Sequence, residues 1–384
     1  MTALDALQPV LPVVREHAAD VDRRARFPEE ALEAFRGSGL LGLLVPTEQG
    51  GMGGGLMELT QVADALAAEC PATAMNWAMH CQQVDTLVHH AGQDLADHLF
   101  PRIARGEVYL ASVTTEPGKG GHLLTGVAPI TEDGNMLHVD RIAPIVTGGE
   151  HADGFLITMR ASEASKEHEV SLIYADLDQL MADPRDGWET LGMRGSLGTG
   201  MHLSGKVPQW QVVGEPGGFR SIAVESLAPV GHIAWVSCWL GAARGAFSRL
   251  VGWLRKGGRK ADIGSELLKE RLARIRMDLE LVSAYLHRVR EEVHTGRVEG
   301  RSLDQPSTQI HLNTLKVTAA ELTFRAVDRM VQVAGLFQGY RSDSDLFLER
   351  TFRDLRSASL NYADDRLLVA NGALILMDRT VRLA

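Results

Sequence analysis

The stretch Val108-Tyr-Leu-Ala-Ser-Val-Thr-Thr-Glu-Pro-Gly118 marks a change of pattern along the chain. Before it, apolar residues recur at spacings of three and four, as in Leu11, Val14, Ala18 and Val21, which predicts amphipathic helices. The stretch itself is rich in β-branched and aromatic residues and ends in Pro-Gly, which is typical of a strand followed by a turn. It therefore predicts a boundary between a helical domain and a β domain.

After this boundary, short apolar runs follow one another without intervening helices. Glycine, aspartate or other charged clusters separate the runs, so each of them predicts a strand. A succession of strands of this kind predicts a compact antiparallel barrel or sandwich. The later runs are Met136–Val139, Ile142–Val146, Gly154–Met159, Val170–Ala175, Trp188–Met193, His202–Val207 and Trp210–Val213.

Helical patterns return in the last part of the sequence. Four long helices predict a bundle whose facing surfaces are buried. The segments are Phe219–Leu254, Glu266–His294, Ser307–Val333 and a last one that begins at Asp345 and is interrupted near Asn361.

The predicted fold is therefore α+β, with three domains in order. They are an N-terminal helical domain at 1–107, a small antiparallel β-barrel or sandwich at 108–216 and a four-helix bundle at 217–384. Within the first domain, Gly50–Gly55 has five glycines in six residues, which predicts a tight connection between helices. It lacks the GxxxxGK[ST] pattern of a phosphate-binding loop.

The composition of the 384 residues restricts the function classes. Lys and Arg number 39 and Asp and Glu 49, and the net charge of −10 gives no general attraction to nucleic acid or to an anionic membrane. Three cysteines without a CxxC pair predict free thiols in a reducing compartment. The adjacent His89-His90 lacks the i,i+4 spacing of a helical metal pair, so no metal is expected. With no signal-peptide pattern and no apolar run of about 18 residues, we expect a cytoplasmic protein.

Several local sequences resemble the signatures of acyl-CoA dehydrogenases. Together they span almost the whole chain, in order and at appropriate spacing. They are Phe27-Pro-Glu29, Gly39–Pro46, Glu48–Gly51, Phe100–Glu107, Thr115-Glu-Pro117, Leu191–Ser196, Gln332–Gly335 and Arg350–Asp354. The resemblance implies FAD held between the β domain and the bundle, an acyl thioester of CoA or of acyl carrier protein as substrate, and a homodimer or homotetramer.

The resemblance also implies which positions contact the cofactor. Thr115 and Thr147 match the threonines at the flavin ring, and a neighbouring subunit would add Gln332. Arg255 would neutralise the FAD pyrophosphate, although a solvated helix end is an equally good interpretation of this arginine. The full set of implied cofactor-binding positions is Val113, Thr115, Gly120, Gly121, Ile145, Thr147, Arg255, Gln332 and Gly335.

The sequence departs from the family pattern where the catalytic base belongs. The family removes the α-proton of the thioester with a glutamate, and its two usual positions fall here on Tyr362 and on Gly231, which is followed by His232. A shift of two residues replaces Tyr362 by Asp364, so Tyr362 and Asp364 are the candidate catalytic residues. A tyrosine titrates near 10 and is a poor base at neutral pH.

Other departures indicate oxygen chemistry. Ile145 occupies the place of an aromatic residue that stacks on the flavin, and its smaller side chain leaves room for molecular oxygen. The segment Arg353–Asn361 resembles the flavin monooxygenases of the same superfamily. We therefore predict a flavin-dependent oxidoreductase that uses oxygen. The alternatives are α,β-dehydrogenation with Asp364 or Tyr362 as base, and a non-catalytic homologue that has lost flavin.

Overall fold

The computed structural model describes residues 2–118, 122–185, 187–258, 263–379 and 381–384. A region of β-strands lies between two helical regions, so the predicted α+β fold is confirmed. The helices of the first region are α1 (Ala3–Leu7), α2 (Val10–Arg24), α3 (Glu29–Ser38), α4 (Leu56–Glu69), α5 (Pro71–His90) and α6 (Gln93–Ala104).

The glycine-rich segment before α4 is a loop, as predicted. Its backbone turns back on the residues before it, because the Gly53 amide donates to the Val45 carbonyl at 2.9 Å and the Gly54 amide to the Leu43 carbonyl at 2.8 Å. These bonds use the amide groups that a phosphate-binding loop would keep for its ligand.

The middle region consists of two four-stranded sheets, in the orders β1-β4-β5-β8 and β2-β3-β7-β6. All pairings are antiparallel except that of β1 with β4, in which Leu110 lies opposite Gly154 in a parallel register. The strands are β1 (Leu110–Val113), β2 (Thr131–Asp133), β3 (Met136–Ala143), β4 (Gly154–Arg160), β5 (Val170–Asp176), β6 (Leu180–Pro184), β7 (Met201–Pro208) and β8 (Val212–Val213).

The prediction of a strand over Trp188–Met193 is wrong. The segment is a loop that its own side chains close, because Trp188 Nε1 donates to the Met193 carbonyl at 3.0 Å and the Thr190 hydroxyl to the Gly192 carbonyl at 2.9 Å. The sequence analysis also missed the edge strand β6, whose residues are mostly exposed and show no apolar alternation.

The last region is a helical bundle. Its central helix α8 packs against α4, α5, α9 and α10, and α10 packs against α12. The predicted interruption near Asn361 is confirmed as a series of turns between the last two helices. The helices are α7 (Phe219–Ile222), α8 (Ala228–Arg255), α9 (Glu266–Val298), α10 (Pro306–Gly335), α11 (Leu348–Leu355) and α12 (Asp364–Ile375), with π-helical turns at Ala223–Leu227 and Leu336–Tyr340. None of the helices, within the described ranges, is apolar and long enough to cross a membrane.

Two neighbouring residues of α11 connect all three regions. Asp354 Oδ1 accepts the Met193 amide at 2.6 Å, and Arg353 donates to the Leu191 carbonyl at 2.9 Å. Arg353 also pairs with Asp22 of α2 at 2.6 Å. We call this set of contacts the α11 junction.

The junction depends on the close approach of two backbones. A Cβ atom at Gly192 would lie 2.1 Å from the Arg353 carbonyl oxygen, so only glycine fits without displacement of α11. Such overlap with backbone atoms is relieved only by moving one segment away from the other.

We therefore expect Gly192→Ala to lower the free energy of unfolding by about 1–3 kcal/mol, the usual cost of overpacking. Chemical denaturation monitored by circular dichroism measures the change. The matched control is Gly187→Ala in the same loop, because a Cβ at Gly187 has no neighbour within 4 Å. Equal stability of the two variants would contradict the predicted closeness of the two segments.

Candidate active site

A cavity of about 660 Å³ lies where the three regions meet. We call it the central cavity. Its volume falls in the range of pockets that enclose small molecules and cofactors. Its wall contains Met75, Met79, Gln82, Ser112, Thr114, Thr115, Leu123, Ile145, Thr147, Trp188, Thr190, Leu191, Gly192, Met193, Ser196, Leu227, Ala228, His232, Trp235, Arg353, Arg356, Ser357, Leu360, Asn361, Tyr362, Ala363 and Arg366.

The β region forms one wall through the chain that follows β1 and the chain that follows β3. The Thr115 hydroxyl donates to the Ile145 carbonyl at 2.8 Å and accepts the Ile145 amide at 3.2 Å. This pair of hydrogen bonds holds the two segments side by side and places Thr147 on the same wall. The Ile145 side chain is 44% exposed, so it faces open space rather than packing into the sheet.

The bundle forms the opposite wall, and His232 of α8 is a polar group in it. The residue is only 2% exposed, and its Nδ1 has no hydrogen-bond partner among the described residues. Burial, with the Lys316 ammonium nearby as a second cause, lowers the pKa of His232 to about 3. The imidazole is therefore neutral at physiological pH.

Neither position that the sequence analysis matched to the expected catalytic base carries a carboxylate. A Cβ atom at Gly231 would lie 2.3 Å from Gln82 Nε2, which is itself fixed because it donates to the Leu227 carbonyl at 2.7 Å. Tyr362 lines the cavity with a left-handed backbone (φ 52°), and burial raises the pKa of its hydroxyl. Position 231 has no room for a side chain, and Tyr362 remains protonated at neutral pH.

The second candidate base, Asp364, belongs to a partly buried ion pair. Its carboxylate accepts from Lys316 Nζ at 2.5 Å, and it does not line the central cavity. Burial raises the pKa of Asp364, and the Lys316 ammonium opposes that shift. Among the described residues of the cavity wall there is neither an aspartate nor a glutamate.

Positive charge is abundant in the same wall, which includes the guanidinium groups of Arg353, Arg356 and Arg366. Arg353 is neutralised by Asp22 and Glu349, whereas Nη1 of Arg366 is buried without a partner in the described chain. Trp235 Nε1 is a second buried donor that lacks a described acceptor. Two residues of the cavity wall thus carry buried donors without described acceptors, which suits a ligand rich in acceptor atoms.

The structure brings four of the predicted site residues together on the central cavity: Thr115, Ile145, Thr147 and Tyr362. Val113 is fully buried in β1 behind this wall, where its carbonyl accepts from the Thr158 hydroxyl at 3.3 Å. Gly120 and Gly121 lie outside the described residues.

The remaining predicted positions lie on the bundle and do not line the cavity. Arg255 is exposed at the end of α8, and Gln332 is exposed and donates to Asp328 at 2.9 Å. Gly335, with a φ of 71°, ends α10.

The sequence analysis missed Gln82, Trp188 and His232 as wall residues. A histidine inside the long apolar run of α8 was the signal for the last of them, because buried polar groups need partners. No group of three potential metal-ligating side chains occurs within the described ranges.

Comparison with known proteins gives two family models that match this chain. The model described as "Acyl-CoA dehydrogenase, N-terminal domain" matches residues 10–107, and "Acyl-CoA dehydrogenase, C-terminal domain" matches residues 218–361.

Individual relatives include both oxygen-using enzymes and dehydrogenases. L-evernosamine nitrososynthase of a Micromonospora species is 31% identical over 290 residues, which cover 70% of this chain but only 64% of that protein. The probable acyl-CoA dehydrogenase fadE25 of Mycobacterium leprae is 23% identical over 89% of this chain and 86% of its own length. The structure of FMN-bound TdsC, a dibenzothiophene monooxygenase of Paenibacillus sp. A11-2, superposes with a TM-score of 0.86, 18% identity and 98% coverage of both chains.

Proposed function

This chain belongs to the acyl-CoA dehydrogenase superfamily, and on that premise we propose that it is a flavin-dependent oxidoreductase that uses molecular oxygen. The observation that carries the proposal is the wall of the central cavity, in which no described residue is a carboxylate. Removal of a thioester α-proton needs a base within hydrogen-bond reach of that proton. Oxygen transfer from a flavin has no such requirement.

The cavity fits a flavin. It lies between the β region and the bundle, and the donors Trp235 Nε1 and Arg366 Nη1 lack protein acceptors there. A flavin ring carries carbonyl oxygens and ring nitrogens that accept hydrogen bonds. When bound, a reduced flavin would supply two electrons to O₂, so that one oxygen atom enters the substrate and the other leaves as water.

We propose FAD as the form of this cofactor, held by Thr115 and Thr147 on the β wall. Arg255, Gln332 and Gly335 lie outside the wall of one chain's cavity, which agrees with a role towards the flavin of a neighbouring copy. FMN is the alternative, because the structurally similar TdsC was crystallised with FMN. Extraction of the bound flavin and chromatography distinguish the two forms.

The chain's own residues would bind and orient the substrate. Apolar residues such as Met79, Leu123 and Leu360 form much of the wall, and they exclude water from the reacting group. Arg356 and Arg366 would attract an anionic carrier. An acyl thioester of CoA or of acyl carrier protein has this combination of an apolar end and phosphate groups.

A second candidate reaction is N-oxygenation of an amino sugar. The similarity to L-evernosamine nitrososynthase favours it, and a nucleotide-linked sugar would satisfy the same arginines. Both candidates share a reduced flavin and oxygen, so they are distinguished by substrate rather than by the chemistry of the cofactor.

The deciding experiment mixes the flavin-loaded protein with a panel of acyl-CoAs under anaerobic conditions. Because no described residue of the wall is a carboxylate, we expect the flavin absorbance near 450 nm to remain unchanged on the timescale of turnover. The photoreduced protein, mixed with air-saturated buffer, should recover its oxidised spectrum and consume oxygen. Rapid anaerobic bleaching by any acyl-CoA would show a dehydrogenase instead. A protein that binds no flavin would be a non-catalytic homologue.

We expect the space at Ile145 to control the reaction with oxygen. Ile145→Trp fills part of the cavity, so reoxidation of the reduced flavin in stopped-flow experiments should slow by about tenfold, equivalent to about 1.4 kcal/mol in the barrier. Ile142→Trp is the matched control, because Ile142 is similarly exposed (41%) but does not line the cavity. The same rate constant in both variants would argue against an oxygen site at Ile145.

We propose that the protein forms a homodimer or homotetramer. The turn after Gly335 exposes the apolar side chains of Leu336, Phe337 and Tyr340, each to more than 60%. Contiguous exposed apolar groups of this kind are typical of interaction surfaces.

Light scattering at micromolar concentration should therefore give two or four times the 41.8 kDa of one chain. Phe337→Glu should shift the mass towards that of one chain, whereas Met181→Glu, at an equally exposed apolar position on the edge strand β6, should not. A flavin-loaded monomer would refute the proposed assembly.

A further inference from the structure

Arg141 interrupts the apolar pattern on the inward-facing side of β3. Along this strand Leu137, Val139 and Ala143 are buried and alternate with more exposed residues. Arg141 occupies the inward position between the last two of them, and its exposure is 0%. A buried guanidinium is costly unless it is hydrogen-bonded and paired with a carboxylate. The partners of this side chain therefore indicate its role.

The guanidinium group of Arg141 connects the two sheets of the β region. Its Nε donates to the Thr158 carbonyl on β4 at 3.0 Å, and its Nη1 donates to the Ile142 carbonyl on its own strand at 2.6 Å. The Thr158 hydroxyl in turn donates to the carbonyl of Val113, the last residue of β1, at 3.3 Å. The ends of β1 and β3, which belong to different sheets, are thus both linked to Thr158.

Glu116 extends this arrangement to the chain that follows β1. Its carboxylate lies 3.5 Å from Nη1 of Arg141 and accepts the backbone amides of Val127 and Ala128 at 2.9 and 2.7 Å. Both charged side chains are buried. Such a pair often adds little net stability, but it constrains the segments that carry its two charges.

The constrained segments continue into the β wall of the central cavity. Thr115 immediately precedes Glu116, and Ile145 follows the end of β3 by two residues. Because these two wall segments follow strands of different sheets, backbone pairing within one sheet does not set the distance between them. The hydrogen bonds between Thr115 and Ile145 are exposed, whereas the bond from Arg141 to the Thr158 carbonyl is buried, where water does not compete for it.

We propose that Arg141 is a positioning residue that holds the Thr115 and Ile145 segments at a fixed distance from each other before any ligand binds. It acts through Thr158 on β4 and through Glu116. Arg141 is fully buried and is not one of the wall residues, so it shapes the wall without touching flavin or substrate. A wall that is ordered in advance reduces the entropy that cofactor binding must overcome. This inference rests on the proposed function and identifies the residue that shapes its cofactor site.

The first test is amide hydrogen exchange of the full-length protein without added flavin, measured by mass spectrometry. Arg141→Lys keeps the positive charge, but one ammonium group cannot replace the planar fork that binds two carbonyls and a carboxylate. We expect exchange in the wall segments 111–117 and 142–147 to accelerate by about tenfold, as the loss of one charge-assisted hydrogen bond predicts. Exchange in β5 (Val170–Asp176) should stay unchanged, whereas general destabilisation would accelerate all three segments together.

Arg102→Lys is the matched control. Arg102 also pairs with a buried carboxylate of the β region, that of Asp176 at 2.8 Å, but neither residue lines the cavity. This variant should leave exchange in the wall segments unchanged. Unaltered wall exchange in Arg141→Lys, or equal acceleration of the wall and of β5 in that variant, would overturn the inference.

Flavin affinity provides the second readout. Fluorescence titrations with FAD and with FMN should give a dissociation constant about tenfold higher for Arg141→Lys than for the unsubstituted protein, and an unchanged value for Arg102→Lys. Arg141→Met removes the charge and should give a larger increase; if that variant does not fold, the lysine variant still decides. An unchanged flavin affinity in Arg141→Lys would overturn the positioning role.

The two readouts separate this inference from the proposed function. If the unsubstituted protein binds neither flavin but shows the expected exchange pattern, the proposed function fails, while the role of Arg141 in ordering the wall stands. If flavin binds and the exchange pattern is absent, the proposed function stands and the inference about Arg141 fails.

Discussion

The buried carboxylate of Asp354 is the interaction on which the rest of the structure depends. It accepts the Met193 amide at 2.6 Å, while Arg353 beside it binds Asp22 and the Leu191 carbonyl. Burial raises the pKa of Asp354 to about 6, so the ionised form is maintained against a desolvation cost by the Met193 amide and by nearby arginines. A charge of this kind is stable only if its partners are held in place. The α11 junction therefore fixes the relative positions of the three regions.

This junction also determines the shape of the cavity. The loop closed by Trp188 and the turns that follow α11 form two of its walls, and both are attached to the α11 junction. The positions considered for a catalytic base offer no free carboxylate to the cavity: Gly231 has no side chain, Tyr362 remains protonated, and Asp364 is paired with Lys316. One fold can take on a different reaction when the residues of its site change while the surrounding scaffold stays the same.

The order of the three regions and the approximate limits of α9 and α10 followed from apolar periodicity, because this signal is local. Properties that depend on contacts between residues distant in the sequence did not follow from this pattern. The strand expected at Trp188–Met193 is a loop because its own side chains satisfy its carbonyls, and the parallel pairing of β1 with β4 has no local signature. In the candidate site, residue spacing along the chain identified Tyr362, which lines the cavity. It could not show that Asp364 meets Lys316 from another helix, nor that His232 faces the cavity.

The central claim is that one cavity between the β region and the bundle holds a flavin and that none of its described wall residues is a carboxylate able to remove an α-proton. The most direct measurement is a crystal structure of the flavin-loaded protein. We predict electron density for the isoalloxazine ring in the central cavity, against Thr115 and Thr147, with no carboxylate oxygen within hydrogen-bond distance of the open space beside the ring. A ring bound elsewhere, or a carboxylate such as that of Asp364 turned into that space, would contradict the account.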